Sequence, residues 1–219
     1  VPNYNHARFL KERIDSILNQ TYRNFEILLL DDCSTDNSRD ILLDYEKKHP
    51  SFIKTIFNTI NAGNVFKQWE KGVQNATGEL LWICESDDFC DNDFLENVVK
   101  HFKNPAVNIA FGRIQFSDIN GKFKKGLDNY REGAERGIWN TSLIRPANKW
   151  FCNAFGVNNV IANVGGCVFK KQNLSKDIWE EARTYKILGD WYLYSHLANG
   201  GLIAYEPNAI SYFRQHDSN

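Results

Sequence analysis

Two short apolar runs, Phe25-Glu26-Ile27-Leu28-Leu29-Leu30 and Leu80-Leu81-Trp82-Ile83-Cys84, each lead into an acidic pair: Asp31-Asp32 directly, Asp87-Asp88 after Glu85-Ser86. No other feature narrows the fold as much. A near-continuous hydrophobic run of this length marks a strand covered on both faces. The intervening sequence supplies the covering helices. Residues 7–20 place Leu10, Ile14, Ile17 and Leu18 on one helical stripe. Asp36 stands where a second helix, carrying Ile41, Leu42 and Tyr45 on one face, needs its cap, and residues 63–76 read as a third helix. Residues 52–57 read as a strand, 92–103 as a helix and 107–116 as a strand. Strands alternating with helices predict an α/β fold with a mixed, mainly parallel sheet and helices on both faces.

Beyond residue 116 the pattern loosens. Residues 117–137 read as a long loop or small hairpin, 164–169 as a strand, 178–187 and 189–199 as helices, and 202–205 and 209–213 as two late strands. A single domain over residues 1–219 is expected, with a ligand-binding half to about 105 and a second half from about 106.

Composition removes several functions. With 26 Lys and Arg against 27 Asp and Glu, the net charge is −1, which argues against a nucleic-acid binder. A content of 42% hydrophobic and 24% charged residues is that of a globular domain. No apolar run is long enough to span a bilayer, and Val1-Pro2-Asn3-Tyr4-Asn5 is no signal peptide. The chain has no methionine, so Val1 is expected to be an internal position of a longer protein. Five cysteines, with no C-x-x-C spacing, predict reduced thiols and a cytoplasmic setting.

Ligands of open parallel sheets sit beyond the carboxyl ends of strands. Asp31, Asp32, Asp87 and Asp88 placed there would gather hard oxygen donors whose mutual repulsion a Mg²⁺ or Mn²⁺ ion could neutralise. Such an ion could in turn accept a diphosphate. For either pair alone, capping of the next helix or turn is the competing reading; two pairs at equivalent positions favour function. Asp190 follows Gly189 at a helix start, where a helix N-terminus would lower its pKa and burial beside Trp191 and Tyr192 would raise it. Trp150, Trp191 and Tyr194 could form a sugar-stacking wall or belong to the core. The loop 117–137 could cover a ligand or be a plain surface insertion. A dehydrogenase would need G-x-G-x-x-G and a P-loop enzyme G-x-x-x-x-G-K-[ST]; neither occurs, and there is no G-x-S-x-G or H-E-x-x-H.

The motifs Pro2-Asn3-Tyr4-Asn5, Ser16-Ile17-Leu18-Asn19-Gln20-Thr21-Tyr22 and Glu26 through Asp36 resemble those of the nucleotide-sugar-dependent glycosyltransferases of family 2, which have the GT-A fold. The resemblance resumes at Asn61-Ala62-Gly63, Ala76-Thr77-Gly78-Glu79 and Glu85-Ser86-Asp87-Asp88, the last matching the family's DXD-type metal motif, and again at Gly189-Asp190 and Arg214-Gln215-His216. It implies an inverting, metal-dependent transfer from a nucleoside diphosphate sugar, a UDP-sugar first, to a hydroxyl of a glycan or lipid-linked glycan. By resemblance, Pro2 and Tyr4 would line the nucleobase pocket and Asp32 would accept a hydrogen bond from the base. Lys67 would lie near the nucleotide and Asp87 would contact the ribose or metal. Asp88 would bind the metal, Mn²⁺ or Mg²⁺, with His216 completing its shell or touching a phosphate, and Asp190 would be the general base. The fold's first strand would lie mostly upstream of Val1. Any membrane association would be peripheral, at the inner face of the cell membrane, or supplied by residues outside the chain. The alternative from another class is a non-catalytic module that binds a nucleotide sugar or glycan; Asp88 together with Asp190 favours the enzyme.

Overall fold

The structure is a computed structural model that describes residues 1–172 and 174–216. Its amino-terminal sheet is wholly parallel, with β2 (Ile27–Asp31) between β1 (Pro2–Asn3) and β3 (Ile53–Phe57). Side chains alternate across a strand, and β2 is apolar on both faces because both are covered. Ile27 and Leu29 pack with Leu10, Ile14 and Ile17 of α1 (Ala7–Leu18) and with Leu42 and Tyr45 of α2 (Ser38–Lys48). On the opposite face Leu30 meets α3 (Val65–Asn75) at Gly72, where a Cβ would lie only 3.1 Å from the Leu30 side chain. Asp36 does cap α2: its carboxylate accepts from Ser38 N at 2.9 Å.

The second sheet runs β4-β9-β6-β10-β5, where β4 is Leu80–Leu81, β5 is Phe89–Cys90, β6 is Val107–Ser117, β9 is Cys167–Lys170 and β10 is Leu202–Arg214. Its longest pairing, β6 with β10, is parallel; the other pairings are antiparallel. β7 (Phe123–Gly126) adds to β6 and β8 (Leu143–Pro146) to β10. The helices of this half are α4 (Phe94–Val99), α5 (Asp128–Ala134), α6 (Ala147–Cys152), α7 (Lys176–Ala182) and α8 (Gly189–Ala198). An open slot of about 710 Å³ lies between the sheets, lined by Leu28, Leu30, Trp69, Leu81 and Ile83 among others. In this region the Val1 nitrogen donates to Leu28 O at 2.8 Å.

Several elements differ from the sequence expectation. The run 80–84 pairs only over Leu80–Leu81; Trp82 then leaves the ladder, its indole bonded to Gly165 O at 2.8 Å and stacked on Phe94. The helix expected at 92–103 is α4 followed by a 3₁₀ turn, Lys100–Lys103, and the one expected at 178–187 is α7, ending at Ala182. The two late strands are one, β10. Pro207 falls in the register shift between Glu206 and Ile210, where a residue lacking N–H is tolerated. Gly112 makes the bulge fit, since a Cβ there would lie 2.2 Å from Ala209 O. The segment 117–137 is a hairpin, β6–β7, followed by α5. Trp150 and Tyr194, candidates for a sugar-stacking wall, are buried, and Trp191 packs against the same core, so the wall does not form. The Trp150 indole donates inward to Ile203 O at 2.9 Å. All five cysteines are free thiols. Among the described residues no helix is long and apolar enough to cross a membrane.

Candidate active site at the acidic edge

β2 ends in two carboxylates with different work. Asp31 accepts from Asn3 Nδ2 at 2.9 Å, Ser34 N at 2.9 Å and Arg39 Nε at 3.1 Å. Burial alone would raise its pKa, but these donors outweigh burial and hold it below the usual carboxylate range. Asp31 is thus a structural tie, and this corrects its place among expected metal ligands. Asp32 is buried, and its Oδ1 takes all three donors: Asn58 Nδ2 at 2.6 Å, Gln68 Nε2 at 2.7 Å and Ala62 N at 2.9 Å. Among the described residues these donors all reach Oδ1 and none reaches Oδ2. Lys67, one helical turn into α3, donates to Ala62 O at 3.0 Å, beside the backbone that holds Asp32. Pro2 is buried in β1, while the Tyr4 ring is 47% exposed, as a surface for stacking must be.

The strand-to-helix connection after β1 stitches the two acidic loops together. Asp32 N donates to Asn3 O at 2.9 Å, Asn5 Oδ1 accepts from Thr35 N at 2.8 Å, and His6 Nδ1 lies 2.8 Å from Ser86 Oγ. Asp32 and the Glu85–Asp88 segment therefore share one edge. There Asp87 and Asp88 disfavour the charge of Glu85, and Asp87 that of Asp88. Burial first, and Asp87 second, push Asp88 up to about 7; burial, then Asp87 and Asp88, push Glu85 up to about 8. Neutral donors fix this group. Asp88 Oδ1 accepts from Arg214 N at 2.9 Å and Oδ2 from Asn163 Nδ2 at 2.8 Å, and Glu85 accepts from the Trp69 indole at 3.0 Å. His216 Nε2 lies 2.8 Å from Asp87 Oδ2, its ring stacked on Phe9. Beneath the group sits Arg13, fully buried on α1 with its guanidinium 5.0 Å from the Trp82 ring centroid. Burial works against its charge, but Cys84, Cys90, Asp88 and Glu85 restore it and raise its pKa.

Among the described residues no three His, Cys, Asp or Glu side chains already form a metal cage. The donor chemistry still fits a hard cation. A carboxylate whose charge is disfavoured by burial and by a neighbouring acid, as Asp88's is by Asp87, is what a divalent ion relieves, and Mg²⁺ commonly binds through one or two carboxylates and completes its shell with water and substrate phosphates.

Asp190 begins α8. The residue before Gly189, Leu188, has φ of 73°, a conformation uncommon outside glycine. Gly189 is required by packing, since a Cβ would meet Phe66 of α3 at 2.4 Å. The base candidate is thereby pressed against the helix that carries Gln68, the partner of Asp32. Burial prevails over the helix end: the Asp190 pKa is raised by desolvation, against lowering by the Trp191 N–H and the Asn159 amide. Asn159 Nδ2 reaches Asp190 Oδ2 at 3.2 Å.

Asn159, Asn163, Arg13, Glu85 and Gln68 were not legible as site residues. Arg13 lies within the apolar stripe of α1, and amides in an irregular segment carry no periodicity. Only the family-like spacing around Asp88 could have drawn attention to Glu85.

The family model described as glycosyl transferase family 2 matches residues 1–163. A poly(ribitol-phosphate) beta-glucosyltransferase of Bacillus spizizenii is 32% identical over 124 residues, covering 56% of this chain and 19% of that protein. Two further curated relatives are matched over 100% and 55% of this chain, which spans 64% and 48% of their lengths. Among solved structures, Staphylococcus aureus TarS 1–349 in complex with UDP-GlcNAc superposes with a TM-score of 0.68 at 17% identity, over 100% of this chain and 58% of that one. The mannosyltransferase PcManGT of Pyrobaculum calidifontis, in complex with GDP-Man and Mn²⁺, gives 0.61 at 18% identity, over 97% of this chain and 55% of that one. These two likenesses establish a shared fold, the GT-A architecture.

Proposed function

Since this chain belongs to glycosyl transferase family 2, we propose that it transfers a sugar, with inversion, from a nucleoside diphosphate sugar to a hydroxyl of a glycan or lipid-linked glycan. A UDP-sugar is the first donor to test. The observation that carries this reading is that Asp32, Glu85 and Asp190 all border α3: Gln68 bonds Asp32, Trp69 bonds Glu85, and Phe66 packs on Gly189 beside Asp190. One carboxylate oxygen is free for a base, one acidic cluster invites a cation, and one enclosed carboxylate has a raised pKa.

Asp32 Oδ2 accepts an N–H from the nucleobase while the exposed Tyr4 ring packs on its face. Lys67 stands beside the nucleotide. The diphosphate lies over Asp87 and Asp88. A divalent cation held by Asp88 with Asp87 and His216 would offset the negative charge that builds on the leaving diphosphate. The acceptor hydroxyl oxygen attacks the anomeric carbon from the face opposite the diphosphate. As that C–O bond forms, the bond to the diphosphate breaks and its electron pair leaves with the phosphate oxygen. The hydroxyl proton passes to Asp190. A base works best with a pKa near the working pH, and burial moves Asp190 in that direction.

The poly(ribitol-phosphate) beta-glucosyltransferase relative makes a polyol-phosphate polymer one acceptor to try, and the UDP-GlcNAc and GDP-Man complexes of the fold neighbours define the donors to try. The test is nucleoside diphosphate release from UDP-GlcNAc, UDP-glucose and GDP-mannose with and without Mn²⁺. Asp190→Asn is expected to lower transfer by roughly 100-fold or more, the usual worth of a general base, while thermal stabilisation by UDP and Mn²⁺ persists. Transfer that survives this change refutes the base; binding without turnover in the unsubstituted protein supports a non-catalytic module.

A further inference from the structure

One five-residue stretch touches both acids that the reaction needs. Asn159 Nδ2 donates to Asp190 Oδ2 at 3.2 Å, and Asn163 Nδ2 donates to Asp88 Oδ2 at 2.8 Å. Between them Val160 and Ile161 are fully buried. Each asparagine also uses its side-chain oxygen to close its own turn. Asn159 Oδ1 accepts from Ile161 N at 3.3 Å, and Asn163 Oδ1 from Gly165 N at 2.7 Å. The amide N–H groups are therefore aimed, not swivelling. The backbone between them is anchored too. Arg131 of α5, itself fully buried, donates twice to Val160 O, at 3.0 and 2.8 Å, and once to Gly112 O at 3.0 Å. Its guanidinium sits 5.3 to 5.5 Å from the ring centroids of Phe111, Trp139 and Tyr205. A charged group clamped in this way holds the stretch rigid against the core.

We infer that residues 159–163 form a positioning bracket in which Asn159 orients the Asp190 base and Asn163 orients Asp88, so that one rigid segment sets the placement of the proton acceptor relative to the diphosphate-binding acid. This rests on the proposed transferase reading. A carboxylate can present either oxygen. With Oδ2 bound by Asn159 and Oδ1 accepting from Trp191 N at 2.8 Å, Asp190 is fixed in one rotamer. Both donors favour its charged, proton-accepting form. The other titratable groups facing Asp190 are Cys167 of β9 and Tyr194 of α8. Burial raises both pKa values, so both stay neutral at working pH and neither competes with Asn159 as a charge.

Two substitutions at Asn159 test the bracket. Asn159→Asp keeps the oxygen that closes the turn on Ile161 but replaces the donor with a second carboxylate; Asn159→Ala removes both. In each variant the Asp190 carboxyl resonance, followed by ¹³C NMR in the free protein, is expected to titrate at higher pH than in the parent, and further for Asp than for Ala. The acid limb of the pH–kcat profile should move the same way. Transfer at the acid end should fall by about tenfold or more, the worth of one hydrogen bond to a charged group, with the donor KM unchanged. Asn159→Gln, which retains the amide, should restore part of the loss. A kcat that falls equally at every pH, with the Asp190 resonance unmoved, would overturn the bracket and leave Asn159 a structural residue. The parent's Asp190→Asn variant separates the two ideas. If it retains transfer, the base assignment itself is wrong. If it abolishes transfer while Asn159→Asp leaves the titration in place, the bracket alone fails.

Discussion

The two halves of this molecule are stabilised differently. In the first, β2 has one helix layer on each face, and each contact joins residues whose spacing already encodes a helix or strand. In the second, the core is assembled around large rings and a buried cation. Trp139, Phe111 and Tyr205 surround Arg131, whose three hydrogen bonds reach two carbonyls, Val160 O and Gly112 O, in segments far apart in sequence, and Trp150 packs on Phe111 and Trp139. Arg131 comes to this cluster from α5 and Trp150 from α6. The lesson concerns the site as well. Asp32 directly follows the regular strand β2, whereas Glu85–Asp88 and Asn159, the partner of Asp190, lie in irregular chain, the latter held against the aromatic core.

The strongest way to break this contrast is to hollow the aromatic core. Trp150→Ala should cost roughly 3–5 kcal/mol, and Leu29→Ala in β2 about 2–5 kcal/mol, both read from urea midpoints. One shared transition is expected in each case, because α3 and α8 meet at Phe66 and Gly189. Two separated transitions would show that the halves fold independently. A smaller effect is expected from Arg131→Met, which fills much of the same volume but leaves Val160 O and Gly112 O without their donor. That should cost about 1–3 kcal/mol for each unsatisfied acceptor and should lower transfer more than nucleotide binding. Equal losses would mean that Arg131 serves the core alone.

The smallest effect sharpens the comparison from the site's side. A carboxyl whose folded pKa lies above its unfolded one costs the fold stability once the pH passes the unfolded value, and costs nothing below it. Burial puts Asp190 in this class. Asp190→Asn should therefore stabilise the protein by about 1 kcal/mol at neutral pH, in the range common for relieving a functional strain. That gain should vanish as the pH falls through the ordinary aspartate range. Thermal melts between pH 3 and 8 check it; a gain independent of pH would point to packing instead of charge.

Local periodicity made α1, α2, α3 and the strands β2, β3 and β6 legible, because their burial repeats at intervals a sequence displays. It failed at β10, where Glu206-Pro207-Asn208 reads as a break and is a bulge that Gly112 on the neighbouring strand admits. It failed again at Trp150 and Tyr194, since an aromatic side chain looks the same in a core and on a sugar platform. Of the site, the acids at strand ends were visible and their division of labour was not. Asp31 and Asp32 are adjacent and chemically identical. Only the direction of each side chain, towards Arg39 or towards Gln68, tells the two apart.

By itself, then, the sequence determined an α/β chain with carboxylates at the ends of covered strands, because hydrophobic spacing and side-chain type are local properties. The tertiary structure decided which of those carboxylates are shielded, which stand beside another acid and which asparagine holds Asp190. Electrostatics and hydrogen bonding act through space, between residues that only folding brings within a few ångströms.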